Sequence, residues 1–402
     1  MKVVVAMSGG VDSSVAACLL KDSGYEVVGI TLRLFQEDSP ARIQCCGSQI
    51  SGHKARQVCD VLGVRHYFKD SRNVFSEKVI KNFVSEYKSG RTPNPCVECN
   101  RAVKFSYLFS IAREMGADFL ATGHYARILR EPVGGQCPRH LMSQRLVVPG
   151  GGAALLRGID KNKDQSYFLY CLKETQLSRI LFPLGDLTKK EVRETARLRN
   201  LATAGEKESK DICFVGGADY GAYLRRNGLK TFPGVIADSR GRIVGRHRGF
   251  FNYTIGQRKG LGIFSGQRLY VTGINPEKNQ VTVGPLEEAM TGCFRIAQVN
   301  WISDNTADGS TLPFGSELRA ELLAINPERS RRIDSFAAQG RKLEVQLRYR
   351  HKPVKCSFTH IAKGTLEIKL ESPQFAVTPG QSAVFYDADR VVGGGIIERD
   401  ER

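Results

Sequence analysis

The chain has 402 residues, 41% of them apolar, which at about 150 residues per domain provides for two or three domains with ordinary cores. Fifty-nine Lys and Arg against 41 Asp and Glu leave a net charge of +18, which disfavours a protein that works only on small neutral metabolites and points to a polyanionic partner. No stretch approaches the roughly 18 consecutive apolar residues that span a bilayer, and the N-terminus runs straight into Lys2-Val3-Val4-Val5 without a charged leader and cleavage site. Eleven scattered cysteines, an odd number, are not a secreted disulfide framework. The expectation is a cytoplasmic protein with no membrane partner and with reduced thiols, some reactive or metal-bound.

Residues 1 to about 130 alternate short apolar runs with helical periodicity, the mark of βαβ units and a parallel sheet. Val3-Val4-Val5-Ala6 reads as the first strand and Val27-Val28-Gly29-Ile30-Thr31-Leu32 as the second. Between them Val15, Cys18 and Leu19 share one face of a helix ending near Gly24. A second helix places Ala55, Val58, Cys59 and Leu62 at helical spacing and stops at Gly63. Another strand, Asp118-Phe119-Leu120-Ala121-Thr122, ends at Gly123-His124. Strand carboxyl ends are where open α/β sheets bind ligands.

From about 132 to 153 the composition turns to Pro and Gly, which predicts a loop or a short hairpin excursion. A helical portion follows, clearest from Lys189 to Leu198 behind the capping signal Asp186-Leu187-Thr188. Beyond about 215, short β-rich runs between Gly, Pro and Asn read as small β domains or barrels. Residues 221 to 260 carry nine basic residues against one acid, and residues 325 to 356 nine against three. One such run is a solvated face as often as not; two in one chain favour nucleic acid, because neutralising phosphates takes many distributed cations.

The sharpest short signal is Ser8-Gly9-Gly10-Val11-Asp12-Ser13-Ser14, between the first strand and the first helix. Glycines let backbone amides approach phosphate oxygens, hydroxyls add donors, and the helix N-terminus adds partial positive charge. The loop lacks the Lys of a Walker-type phosphate loop and the G-x-G-x-x-G spacing of a dinucleotide fold. Asp12 adds a carboxylate, a group that shares a divalent cation with phosphate oxygens. The bland alternative is a Gly-containing turn capped by serines.

This loop resembles that of the PP-loop ATP pyrophosphatases. Further stretches narrow the likeness: Gly90-Arg91-Thr92-Pro93-Asn94-Pro95-Cys96 with Cys99-Asn100 and Lys104-Phe105, Ala121-Thr122-Gly123-His124-Tyr125, and Lys163-Asp164-Gln165-Ser166-Tyr167-Phe168-Leu169. Gly256-Gln257-Arg258-Lys259-Gly260-Leu261-Gly262, Arg348-Tyr349-Arg350 and Thr378-Pro379-Gly380-Gln381-Ser382 complete the set. In order and along nearly the whole length, the chain is similar to the tRNA-specific 2-thiouridylases. The resemblance implies a PP-loop α/β domain (1–212), a small central tRNA-binding domain (213–285) and a C-terminal β-barrel (286–402).

It also implies adenylation by ATP of the C2 oxygen of the wobble uridine in tRNAs for Lys, Glu and Gln, followed by displacement of AMP by sulfur. Ala6, Met7, Ser8, Gly9, Gly10, Val11, Asp12, Ser13, Leu32 and Gly123 would hold ATP with Mg²⁺. Asn94, Pro95, Cys96, His124, Lys163, Asp164, Gln165, Arg348, Tyr349 and Gln381 would contact tRNA. Arg and Lys suit phosphate, Tyr stacks on bases and Gln reads their edges, although each alone is more often an ordinary surface or packing residue. A sulfur donor such as a cysteine desulfurase or persulfide carrier protein is the further partner implied.

In the family pattern Cys99 takes the catalytic position and Cys213 the persulfide-bearing one, 114 residues apart in sequence. Read alone, Cys213 beside Ile212 and Phe214 is a small buried apolar residue. Many relatives place Asp where this chain has Cys96, and a thiol with a reference pKa near 8.5 does not inherit a carboxylate's acid–base role. Cys96, Cys99 and Cys213 together offer three thiolates, which resembles the ligand set of a [4Fe-4S] cluster with one open iron. Cluster-assisted transfer is therefore the favoured expectation, ahead of a persulfide and disulfide relay between Cys213 and Cys99 with Cys96 a bystander. Structural zinc is disfavoured for want of a fourth close ligand, and Cys45-Cys46 carry no role that the sequence forces. Two other classes stay open: a PP-loop ligase or amidotransferase with an amine nucleophile, and a non-enzymatic tRNA-binding protein.

Overall fold

A computed structural model describes residues 1–35, 48–130, 153–206, 212–215, 219–302 and 343–399. Cys45-Cys46, nearly all of the 132–153 segment and residues 325–342 of the second basic run lie outside the described residues.

The N-terminal part is built on β1 (Lys2–Ala6), which leads through α1 (Val11–Asp22) to β2 (Glu26–Arg33) and through α2 (Gln49–Leu62) to β3 (Arg65–Asp70). Two long helical runs then cross to β4 (Phe119–Ala121). One comprises Arg72–Phe75, Ser76–Ile80 and Lys81–Lys88; the other comprises Pro95–Glu98, Cys99–Tyr107 and Leu108–Glu114. The middle portion of each is π-helical. After the β5 (Ala126–Arg130) and β6 (Ala153–Arg157) hairpin, β7 (Ile180–Leu181) completes an all-parallel sheet of order β3-β2-β1-β4-β7.

The parallel sheet follows from its side-chain pattern. Val4 of β1 faces one apolar cluster with Val28, Ile30, Phe105, Leu108 and Leu120. Val3 and Val5 face the other, with Val15, Cys18, Ala55, Val58 and Val192 from the helices. A strand covered on both faces has no place for polar residues, so its sequence is a continuous Val run. α1 buries Val15 and Cys18, with Leu20 more deeply buried than Leu19. α2 ends at Gly63 in the left-handed conformation (φ 60°), as its position after Leu62 implied. The helix Lys189–Leu198 starts at Thr188, whose hydroxyl and the Glu191 carboxylate cap each other's backbone amides.

The central part is a four-stranded sheet of β8 (Gly234–Asp238), β9 (Ile243–His247), β10 (Tyr270–Asn275) and β11 (Gln280–Gly284), preceded by the helix Tyr220–Arg226. The C-terminal part is a closed six-stranded antiparallel barrel of β12 (Met290–Trp301), β13 (Leu343–Gln346), β14 (Val354–Ala362), β15 (Thr365–Phe375), β16 (Ser382–Asp387) and β17 (Arg390–Ile397). Pairing of Ile296 with Ile397 and Trp301 with Gly393 closes the ring, and closure removes the exposed sheet edges. Trp301 stacks on Phe385 inside it, 5.5 Å between ring centres.

The β5–β6 hairpin extends this barrel sheet, because β6 pairs with β17 at Leu156 and Arg390. A hairpin from the N-terminal part is thereby continuous with the C-terminal barrel. Among the described residues no helix is long and apolar enough to cross a membrane.

Candidate active site

The Ser8-to-Ser14 loop lies at the carboxyl end of β1, between β2 and β4. That is the point in the order β3-β2-β1-β4-β7 from which successive connections leave in opposite directions, and such switch points open a crevice. Gly9 has φ +75°, and a Cβ there would stand 2.0 Å from the Ser51 carbonyl oxygen of α2. Only glycine fits both the backbone and the space. The Ser8 amide donates to Ser13 Oγ at 3.1 Å, while the Ser13 and Ser14 hydroxyls each donate to the Gly10 carbonyl at 3.0 Å. These bonds fold the loop over the first turn of α1. Gly123, after β4, also lies against that turn: a Cβ would come within 2.8 Å of Ser13 N.

Asp12 is held from two sides. Lys189 Nζ donates to its Oδ1 and Oδ2 at 2.7 and 2.9 Å, and the Tyr125 phenol donates to Oδ1 at 2.7 Å. Neither partner was evident from the sequence. The available signal is electrostatic: Lys189 opens a helix, where the dipole disfavours a cation, yet it is only 8% exposed. The arrangement joins an amide-rich anion cradle to a carboxylate and an ammonium, a set suited to phosphate oxygens and to the hard cation that accompanies them. Ala6 and Leu32 are half-buried at the ends of β1 and β2, and Met7 is buried, its carbonyl accepting from the Thr31 hydroxyl at 2.8 Å.

Cys96 and Cys99 lie in the adjoining helical layer, and Cys213 lies in a turn. Pro95 opens the second long helical run with Asn94 at its cap, leaving Cys96 exposed in the first turn and Cys99 half-buried at the start of the π-helical portion. Cys99 and Cys213 pack against one apolar cluster that also includes Leu32, Phe75, Phe83 and Tyr223. Phe214, next to Cys213, makes edge contacts with Phe75 and Phe83 at 5.8 and 5.1 Å. Folding thus closes the 114-residue gap to a shared cluster. Among the described residues no group of three His, Cys, Asp or Glu side chains is arranged to hold a metal ion. The three-thiolate cluster site expected from the sequence therefore finds no matching donor set.

His124 is buried, its Nδ1 paired with Thr122 Oγ1 at 2.7 Å and its ring 5.8 Å from Phe105 and from Phe182. Burial and the nearby Lys104 charge hold its pKa well below the usual imidazole value, so the ring is neutral. Asp164 and Gln165 also turn inward. Asp164 accepts from Arg157, Gly158 N and Ser166, and Gln165 Oε1 accepts from Tyr125 N at 3.0 Å. Lys163 is half-buried in the turn before them.

The remaining candidates gather elsewhere. Tyr349 packs 4.6 Å from Phe168, and the Asn94 side chain lies beside the Tyr167 phenol, which donates to the Ser382 carbonyl at 2.9 Å. Gln381 Nε2 donates to the Thr92 and Pro93 carbonyls at 2.9 and 3.2 Å, fastening the barrel to the segment that leads to Cys96. A cleft of about 620 Å³ opens where the three parts meet, lined by Thr92, Tyr220, Gln257, Arg348, Phe375 and Gln381 among others. All nine cations of the 221–260 segment are exposed.

A model described as "tRNA methyl transferase HUP domain" matches residues 1–217, "tRNA methyl transferase PRC-barrel domain" residues 222–285, and "Aminomethyltransferase beta-barrel domain" residues 324–397. The chain is 40% identical over 403 residues to the tRNA-specific 2-thiouridylase MnmA of Geobacter metallireducens, covering 99% of this chain and 96% of that one. It is 42% identical over 409 residues to the protein of the same name from Roseiflexus sp., covering 99% and 100%. The domain descriptions mention methyl transfer, whereas the full-length relatives are named for thiolation, and the likeness to them spans all three parts. With an anion-binding loop on a parallel sheet, two cysteines on one cluster and an attached barrel, the chain belongs to the tRNA-specific 2-thiouridylase family.

Proposed function

We propose that this chain replaces the C2 oxygen of the wobble uridine of tRNA with sulfur at the expense of ATP, as a tRNA sulfurtransferase. The observation that carries the reading is the full-length likeness to 2-thiouridylases. The anion loop and the common packing of Cys99 and Cys213 support it. An amine nucleophile or a purely RNA-binding role has no comparable support.

In this reading the loop amides and the Ser8 hydroxyl bind the ATP phosphates, and Asp12 would hold Mg²⁺, which would supply neutralisation of charge on the leaving group. Lys189 turns from Asp12 towards the same phosphates. The uridine O2 attacks the α-phosphorus, pyrophosphate leaves, and C2 now carries a good leaving group. The terminal sulfur of a Cys213 persulfide attacks C2 and AMP departs. The Cys99 thiolate then attacks Cys213 Sγ. The S–S bond to the base breaks, its electron pair stays on sulfur as the thiocarbonyl, and a Cys99–Cys213 disulfide forms. A thiol reductant and a persulfide donor, a cysteine desulfurase or persulfide carrier protein, reset the site. Cys96 stands outside this exchange, and no step passes through an iron–sulfur cluster, for which the described residues offer no donor set.

Exposed Arg348 and the nine cations of the 221–260 segment supply phosphate contacts. The test is nucleoside analysis of unmodified tRNA after incubation with enzyme, Mg²⁺–ATP and a persulfide donor. One 2-thiouridine and one pyrophosphate per turnover support the reading, and pyrophosphate release without thiolation, on addition of ammonia, would return the amine alternative.

A further inference from the structure

Asp12 must present a fixed carboxylate face to whatever occupies the loop, yet the terminal torsion of an aspartate is soft. Three bonds fix it here. Lys189 Nζ touches both oxygens, and the Tyr125 phenol takes Oδ1 alone. An ammonium on a flexible stem is free to leave for phosphate, whereas Tyr125, 2% exposed and packed among Val15, Leu184 and Val192, is not. With Lys189 turned away, Tyr125 would still hold Oδ1, and Oδ2 would be open to a cation.

The backbone of Tyr125 is itself clasped. Tyr125 N donates to Gln165 Oε1 at 3.0 Å, and Gln165 N donates to the Tyr125 carbonyl at 2.9 Å. Gln165 follows Asp164, whose Oδ1 accepts from Gly158 N and Ser166 N, and whose Oδ2 accepts from Arg157 Nη1 and Ser166 Oγ, all between 3.0 and 3.1 Å. Both oxygens are filled, which fixes the carboxylate beneath Gln165. Arg157 in turn lies 3.5 Å over the ring of Tyr386 on β16, and the Ser166 hydroxyl is 3.2 Å from the Tyr386 phenol. A continuous line of contacts therefore runs from the barrel to the nucleotide loop.

We infer that Tyr125 is a positioning residue for Asp12, and that Asp164 and Gln165 form the strut that holds Tyr125 against the barrel. The inference rests on the reading of the loop as an ATP site. It is tested on the full chain by measuring ATP affinity across an Mg²⁺ titration, and tRNA affinity separately, for Tyr125→Phe and Gln165→Ala.

Tyr125→Phe keeps the ring and removes one hydrogen bond to a charged acceptor, so Mg²⁺–ATP binding weakens about tenfold. The Mg²⁺ needed for half-saturation rises and excess Mg²⁺ restores binding, while tRNA affinity and the thermal midpoint hold. Gln165→Ala weakens Mg²⁺–ATP binding in the same way, and excess Mg²⁺ restores it. Unchanged Mg²⁺–ATP binding in Tyr125→Phe overturns the positioning role. Intact Mg²⁺–ATP affinity in Gln165→Ala overturns the strut. Failure of the unmodified chain to bind ATP at all removes the ATP reading of the loop, and the inference with it.

Discussion

Lys189 and Asp12 are 177 residues apart, and the lysine's ammonium bridges both oxygens of the aspartate at 2.7 and 2.9 Å. The pair ties the start of the helix Lys189–Leu198 to the first turn of α1. An ammonium beside a phosphate cradle stabilises charge that develops on a departing pyrophosphate. Lys189→Met is therefore expected to slow tRNA-dependent pyrophosphate release by about a hundredfold, with Lys189→Arg recovering part of the loss and tRNA affinity unchanged. Release at the unmodified rate in Lys189→Met would remove the lysine from the chemistry.

Gly9 and Gly24 separate two costs of a side chain. Both have positive φ, +75° and +81°, but a Cβ at Gly24 meets nothing within 4 Å, whereas one at Gly9 collides with the Ser51 carbonyl. Gly24→Ala should cost about 1 kcal/mol, the conformational penalty alone, and Gly9→Ala clearly more. Urea unfolding ranks the two, and ATP binding should vanish only in Gly9→Ala. Equal midpoints would mean that α2 yields to the new methyl.

His124 makes stability depend on pH in a defined direction. Its folded pKa lies well below that of a free imidazole because of burial and Lys104. As pH falls below about 6.5 the unfolded chain takes up a proton that the folded chain refuses. The stabilisation is thus complete above that pH and is lost progressively below it. His124→Asn should flatten the decline of the urea midpoint between about pH 7 and pH 5. His66, His247 and His351, also shifted down by burial, account for the slope that remains. An undiminished slope would show that His124 protonates freely in the fold.

Arg348 is exposed at the rim of the three-part cleft, its Nη1 donating to the Phe375 carbonyl at 3.2 Å. Arg348→Ala should weaken tRNA binding and lower the slope of log affinity against log salt by about 0.7 to 0.9, the value of one lost phosphate contact. Weaker binding at an unchanged slope would assign Arg348 to a base or to packing.

The parallel sheet and the anion loop were legible because their information is local. A Val run, a Gly–Ser turn and a helix start are contiguous in sequence, and Thr188 with Glu191 announces its helix in four residues. β3 escaped because Arg65-His66-Tyr67-Phe68-Lys69-Asp70 is an edge strand with polar and half-exposed positions. The pairing of β6 with β17 joins residues more than 200 apart, and no periodicity reports it. At the site, sequence supplied chemical groups but not their partners. Asp164, Gln165 and His124 have chemistry that suits RNA, and the fold adds what the sequence does not show, bonds within the chain to both Asp164 oxygens, to Gln165 Oε1 and to His124 Nδ1. Lys189 was hidden for the converse reason, since beside Lys190 it reads as one more surface cation until burial and Asp12 distinguish it.

The most direct test of the central claim is single-turnover thiolation by Cys96→Ala, Cys99→Ala and Cys213→Ala, each loaded with a persulfide donor. 2-Thiouridine in the tRNA and the Cys99–Cys213 disulfide in the protein are quantified together by mass spectrometry. The account predicts thiolation in Cys96→Ala matched by one Cys99–Cys213 disulfide per 2-thiouridine, and none in the other two. Loss of thiolation in Cys96→Ala, together with about four irons and four sulfides per chain in the active unmodified protein, would contradict it and install the three-thiolate cluster in its place.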